Sequence, residues 1–172
     1  MQPLSPFPWF DAATILVLIA INGVFAMSEL AIVSARAAKL KAMADSGTRG
    51  ANTALRLARD PGKFLSTVQI GITLIGIIAG AYSGSTLGEP MAQRLAYVGF
   101  PADWADTFGF GIVISITTYA SLVVGELVPK QFALVAPERI AVVVAGPMEM
   151  LSRITAPIVW LLDRSSALIF RM

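Results

Sequence analysis

The chain has 172 residues, of which 56% are hydrophobic and 14% charged, with a net charge of +2 and a mean hydropathy of +0.72. Soluble domains carry about a quarter charged residues, so this composition is that of an integral membrane protein. The absence of His and Cys excludes disulfide frameworks, zinc or copper sites of the usual kind, and Ser–His or Cys–His catalysis, and the cations form no nucleic-acid face.

The segment ahead of the first apolar run, Met1 to Phe10, has no Lys or Arg and no clear cleavage site, so the first helix is expected to be retained. Three membrane spans are predicted, at about 13–33, 64–82 and 108–127. Between the first two lies a connection carrying Arg36, Lys39, Lys41, Arg49, Arg56, Arg59 and Lys63, whereas the second connection has only Arg94 against Glu89, Asp103 and Asp106. Positive loops stay inside, which predicts an external N-terminus, an internal first connection and a cytoplasmic C-terminus in a multi-pass cell-membrane protein.

The internal connection, 34–63, reads as a hairpin of two short helices, with Asp60-Pro61-Gly62 turning into the second span. On the outer side, Pro90 predicts the start of a separate short helix running to about Val98, and Trp104 an interfacial anchor. The stretch 137–165 is apolar enough to span, yet Glu149 and Arg153 lie near its middle and Pro147 and Pro157 interrupt it. A broken or amphipathic juxtamembrane segment on the inner surface is the preferred expectation.

Polar positions inside the spans carry the functional signal. Glu126 ends the apolar run in Gly125-Glu126-Leu127-Val128-Pro129-Lys130. A carboxylate at membrane depth costs several kcal/mol, so it faces a cavity, an ion or a partner charge. Pro129 removes the hydrogen bond to the Gly125 carbonyl, freeing an oxygen beside the carboxylate and allowing a helix break. Glu126 and this oxygen are a start for a hard-cation site; equally, Glu126 could pair with Lys130 one turn later.

In the first span Asn22, Ala26 and Glu29 share one helical face. Asn22 could offer an amide oxygen or an interhelical hydrogen bond, and Glu29 could pair with Arg36. In the second span Gln69 and Thr73 are one turn apart. Gly76, Gly80 and Gly84 read as a close-packing stripe. Hard oxygen donors favour Mg²⁺, Ca²⁺, Mn²⁺ or Na⁺ over softer metals.

Three segments carry a resemblance. Asn22-Gly23-Val24-Phe25-Ala26-Met27-Ser28-Glu29-Leu30-Ala31 with Val33-Ser34-Ala35-Arg36, Leu65-Ser66-Thr67-Val68-Gln69-Ile70-Gly71-Ile72-Thr73-Leu74, and the Gly125–Lys130 segment resemble, in order and spacing, the three membrane helices of the CNNM/CorC family. That resemblance implies an all-α, homodimeric membrane domain of three spans plus juxtamembrane helices. It implies a transporter and not an enzyme, with Mg²⁺ as the exported ion and, in several members, a link to Na⁺ entry. Alternating access around a nearly dehydrated Mg²⁺ is the expected mechanism. Carried onto this sequence, the ion's ligands would be Glu126, the Gly125 carbonyl, Asn22, the backbone at Ala26, Gln69 and Thr73. Family members continue into ATP-binding CBS domains. This chain stops at Met172 without them, which implies an isolated membrane domain. The competing reading is a Mg²⁺-sensing scaffold or regulatory subunit that moves nothing. An intramembrane enzyme has little support, since only Glu29 could act as a second carboxylate.

Overall fold

The computed structural model describes residues 5–169, and no strand occurs among them. Seven helices follow in order: α1 (Trp9–Ser34), α2 (Ala37–Asp45), α3 (Ala51–Arg59), α4 (Gly62–Tyr97), α5 (Ala102–Leu122), α6 (Val128–Val135) and α7 (Pro137–Ile169). A π-helical turn, Val123–Leu127, joins α5 to α6. Four stretches, rather than three, are long and apolar enough to cross a membrane: Trp9–Ser34, Gly62–Tyr97, Asp103–Val135 and Pro137–Ser166. The fourth is the stretch expected to lie on the inner surface.

The chain divides into two compact units. The described part of the first comprises 5–23 and 73–128. Here α4 corrects the expectation of a separate helix beginning at Pro90, because it runs unbroken through that residue to Tyr97. A proline inside a helix forfeits one hydrogen bond and crowds the preceding turn; packing against α5 offsets this. A Cβ on Gly84 would come within 2.5 Å of the Phe110 ring, and one on Gly109 within 2.7 Å of the Ala92 backbone nitrogen. Small residues let the two backbones approach, which is how helices gain contact without a hydrophobic driving force. The close-packing stripe is therefore displaced from its expected position: Gly84 belongs to it, but a Cβ on Gly76 or Gly80 would meet nothing within 4 Å.

One end of this unit is polar and aromatic. Tyr82 donates to Asp11 at 2.6 Å, the Arg94 guanidinium lies 5.6 Å from the centre of the Phe7 ring, and Trp104 meets Phe108 edge-on. Amphipathic rings and a snorkelling arginine suit a membrane–water boundary.

The described part of the second unit comprises 24–72 and 129–169. Its core gathers Ile32, Leu40, Ala54, Phe64, Val68, Ala145 and Met148. The hairpin α2–α3 packs on the first half of α7. Gly50, at the N-terminus of α3, has φ +82°, and a Cβ there would collide with the Val142 carbonyl, so glycine is required twice over.

Ion pairs join these helices. Buried Glu138, in the first turn of α7, accepts from Arg36 Nε and Lys39 Nζ, each at 3.0 Å. Glu149 holds both Arg56 at 2.9 Å and Arg153 at 3.1 Å. The expected pairing of Glu29 with Arg36 is thus replaced: Arg36 turns to Glu138, and Glu29 lies 3.6 Å from Lys130. Chain-distant partners win because α7 places a buried carboxylate beside two cations, and a buried charge needs compensation more than an exposed one.

The hydrogen bond from Lys39 and then that from Arg36 hold the Glu138 carboxyl down to about 2, against burial that would raise it. A depressed folded-state pKa gives stability that is complete above the unfolded value near 4.5 and is lost as pH falls toward 2. Glu138→Gln is accordingly expected to cost about 1–2 kcal/mol at neutral pH, since both cations keep much of their water. Thermal unfolding in detergent should show the gap between variant and parent narrowing below pH 4.5. A gap independent of pH would mean that Glu138 contributes through shape and not charge.

Candidate cation site

The site is built on a defect in a helix. An α-helix continued through Pro129 would set the proline ring against the carbonyl of Gly125. The chain instead takes an extra residue into the turn, and the Val128 N–H bonds to the Val123 carbonyl, five residues back. Such π turns absorb a helix interruption and are frequent at functional sites. The break expected near Pro129 is thus corrected to a wide turn within continuous helix, and Gly125 and Glu126 lie inside it.

Gly125 is buried, and its carbonyl accepts a hydrogen bond from Asn22 Nδ2 at 3.1 Å. A Cβ at position 125 would stand 3.1 Å from the Ile19 carbonyl oxygen and 3.3 Å from Asn22 Nδ2, so a side chain here would push α1 away. The oxygen that Pro129 orphans is therefore met by an amide on α1.

That contact fixes the orientation of Asn22. Only the NH₂ can donate to a carbonyl, so the side-chain oxygen must point elsewhere. Asn22 is 5% exposed, and its Oδ1 is buried with no hydrogen-bond partner among the described residues. An acceptor without a donor in such a place costs about 1–3 kcal/mol unless a water or cation meets it. Glu126, next in sequence to Gly125, is half-buried.

Among the expected ligands, the first unit therefore brings Asn22 and Gly125 into contact, with Glu126 adjoining. Thr73, also in that unit, is exposed on α4. In the second unit Ala26 is fully buried and Gln69 is exposed. Along α4, Gln69, Thr73, Gly76 and Gly80 follow one another at helical spacing, forming a single stripe. Among the described residues no three Asp, Glu, His or Cys side chains gather into a metal-binding cluster. A cation bound here would meet one carboxylate and neutral oxygens, a low-charge donor set that suits a hard ion held loosely.

The interhelical hydrogen bond offered for Asn22 is present; sequence reasoning missed the π turn and the choice of the Gly125 carbonyl as the acceptor. Pro129, placed four residues after the glycine, was the available signal for both.

The sequence profile of the cyclin M transmembrane N-terminal domain matches residues 13–172. A UPF0053 protein of Synechocystis is 47% identical over 158 residues, covering 92% of this chain and 35% of the relative. The UPF0053 protein YhdT of Bacillus subtilis is 33% identical over 161 residues, covering 91% and 34%. The polyamine export protein of Escherichia coli K12 is 31% identical over 158 residues, covering 92% and 35%. The chain thus spans about a third of the length of the curated relatives it matches.

Proposed function

Because the chain belongs to the cyclin M (CNNM/CorC) transmembrane family, we propose that it carries Mg²⁺ across the membrane, in the export direction, by alternating access around Glu126. The carrying observation is the buried Asn22 Oδ1, an acceptor with no donor among the described residues, on a side chain whose Nδ2 is held by the carbonyl of Gly125, the neighbour of Glu126 in sequence. Mg²⁺ surrenders water reluctantly and keeps several waters when few charged ligands meet it. Glu126 offsets one of its two charges, Asn22 Oδ1 replaces one water, and Thr73 contributes a further neutral oxygen from α4. The π turn is the element that can change register, since α- and π-type windings differ by one residue per turn. Na⁺ taking the same ligands, with lower charge and weaker hold, would reset it.

Three helices (α1, α4 and the α5–α6 helix) cross the membrane in this reading, with the N-terminus outside. α7 lies along the inner surface: its first half is tied by Glu138 and Glu149 to the basic hairpin, and positive loops stay inside. The stripe left open at Gly76 and Gly80 supports close approach of a second copy, and thus a homodimer. ATP-binding CBS domains would act on this unit only in a longer protein.

The polyamine export relatives favour a second cargo, an organic polycation. Its ammonium groups would need several acceptors along a path, whereas the proposed ligands are few, chiefly Glu126 and Asn22.

Proteoliposomes holding a Mg²⁺-sensitive dye test the choice. Saturable Mg²⁺ flux, unaffected by excess spermidine, is expected. Spermidine movement without Mg²⁺ flux would replace Mg²⁺ by a polyamine, and Mg²⁺ binding without any flux would establish the sensing scaffold instead.

A further inference from the structure

A second site lies in the second unit, between the first turns of α4 and the later half of α7. Lys63, Thr67, Ser152, Ala156, Val159 and Trp160 line a groove of about 270 Å³. We propose that this groove binds the headgroup of an anionic glycerophospholipid, such as phosphatidylglycerol. The inference is independent of which cation the protein carries.

The lining is divided by chemistry. Lys63 is exposed in the first turn of α4, just ahead of the apolar run that starts at Phe64, and makes no ion pair among the described residues. A cation at the mouth of an apolar helix stands at the depth of lipid phosphates. Beside it is a cluster of hydroxyls. Thr67 Oγ1 donates to the Lys63 carbonyl at 2.9 Å and lies 3.1 Å from Thr155 Oγ1 and 3.4 Å from Ser152 Oγ. Thr67 gives its one proton to the Lys63 carbonyl and Thr155 gives its own to the Leu151 carbonyl, so the cluster offers the groove acceptor oxygens and the rotatable Ser152 hydroxyl.

The remaining lining is apolar. Val159 is buried, while Trp160 is 63% exposed. An exposed indole with one apolar face and one N–H belongs at headgroup level. The volume suits a phosphate, its glycerol and the first chain carbons, being slightly smaller than sites for drug-sized molecules.

Charge settles the class of lipid. Lys63 attracts a phosphate but repels the ammonium of a choline or ethanolamine headgroup, so a lipid with net negative charge is favoured over a zwitterion. A polypeptide is a poorer occupant, because a groove this size offers no backbone edge or long apolar face to pair with.

The chain has three Trp residues, at 9, 104 and 160. Trp9→Phe with Trp104→Phe leaves Trp160 as the only indole, and lipids brominated on their acyl chains quench it by contact. In nanodiscs, brominated phosphatidylglycerol is expected to occupy the groove about fivefold more than brominated phosphatidylcholine at equal mole fraction. Lys63→Gln should remove the excess. Lys41→Gln, at an exposed hairpin cation outside the groove, should retain it. Ala156→Leu, which fills the groove without altering charge, should also abolish it. Equal quenching by the two lipids in the parent would overturn the proposal. So would equal losses in the two lysine variants, which would indicate diffuse attraction, or full displacement by soluble glycerol phosphate, which would make the ligand a free phosphate.

Discussion

Glu126→Gln is expected to weaken Mg²⁺ binding by about tenfold to a hundredfold, or about 1.4–2.8 kcal/mol, while leaving the fold intact. Glutamine has the size of glutamate and keeps one neutral oxygen, so the π turn at Val123–Leu127 retains its shape. What is removed is the charge that offsets the cation. The carboxylate also has an interaction of its own in the ion-free protein, so neutralising it should leave the melting temperature unchanged or slightly lowered. The rise in melting temperature on adding Mg²⁺ should shrink, by linkage of binding to stability. Calorimetry on the purified protein, together with thermal unfolding with and without Mg²⁺, reads both quantities. Undiminished binding by the variant would remove Glu126 from the site. A lower melting temperature with binding unaltered would make it a structural partner of a neighbouring cation.

The second large effect is expected at Asn22, whose two side-chain atoms have separate tasks. Nδ2 donates to the Gly125 carbonyl, and Oδ1 is the acceptor left without a partner. Asn22→Leu removes both. Orphaning the Gly125 carbonyl costs about 1–3 kcal/mol, offset in part by removal of the unmet Oδ1, so the ion-free protein should lose less than that, and Mg²⁺ affinity should fall as well. Asn22→Asp separates the tasks. It sets an acceptor against an acceptor at Gly125, so the ion-free protein should again be destabilised, yet it adds an anionic oxygen where Mg²⁺ is proposed to sit. This variant should therefore gain more melting temperature from Mg²⁺ than the parent does, by linkage of binding to stability. Equal Mg²⁺ responses in the parent and both variants would restrict Asn22 to holding the turn.

Much of this protein is legible along its chain because the relevant physics is local. A high apolar fraction with few charges identifies a membrane protein, since long apolar helices are stable there without polar partners. Asp60-Pro61-Gly62 marks the entry to α4, and the Ser46–Gly47 region separates α2 from α3. Pro129 announces a disturbed helix at Gly125 because a missing N–H is a property of one residue. Glu126 stands out by the cost of a carboxylate in an apolar run.

Other features depend on which helices meet. The disturbance at Pro129 could have been a break; it became a π turn, with Asn22, 103 residues away in the chain, meeting the freed carbonyl. Local spacing offered Arg36 to Glu29, but α7 delivers Glu138 to Arg36 from 102 positions away. Gly76, Gly80 and Gly84 are equivalent as a sequence pattern, and only the approach of Phe110 distinguishes Gly84. Pro90 has the signature of a helix start, yet Ala92 against Gly109 carries α4 through it. The sequence by itself determined the apolar helices, the disturbance at Pro129 and the costly carboxylate, because each follows from bonds and solvation within a few residues. Tertiary structure alone decided the partners, because a buried donor, acceptor or charge takes whichever complementary group packing brings within about 3 Å.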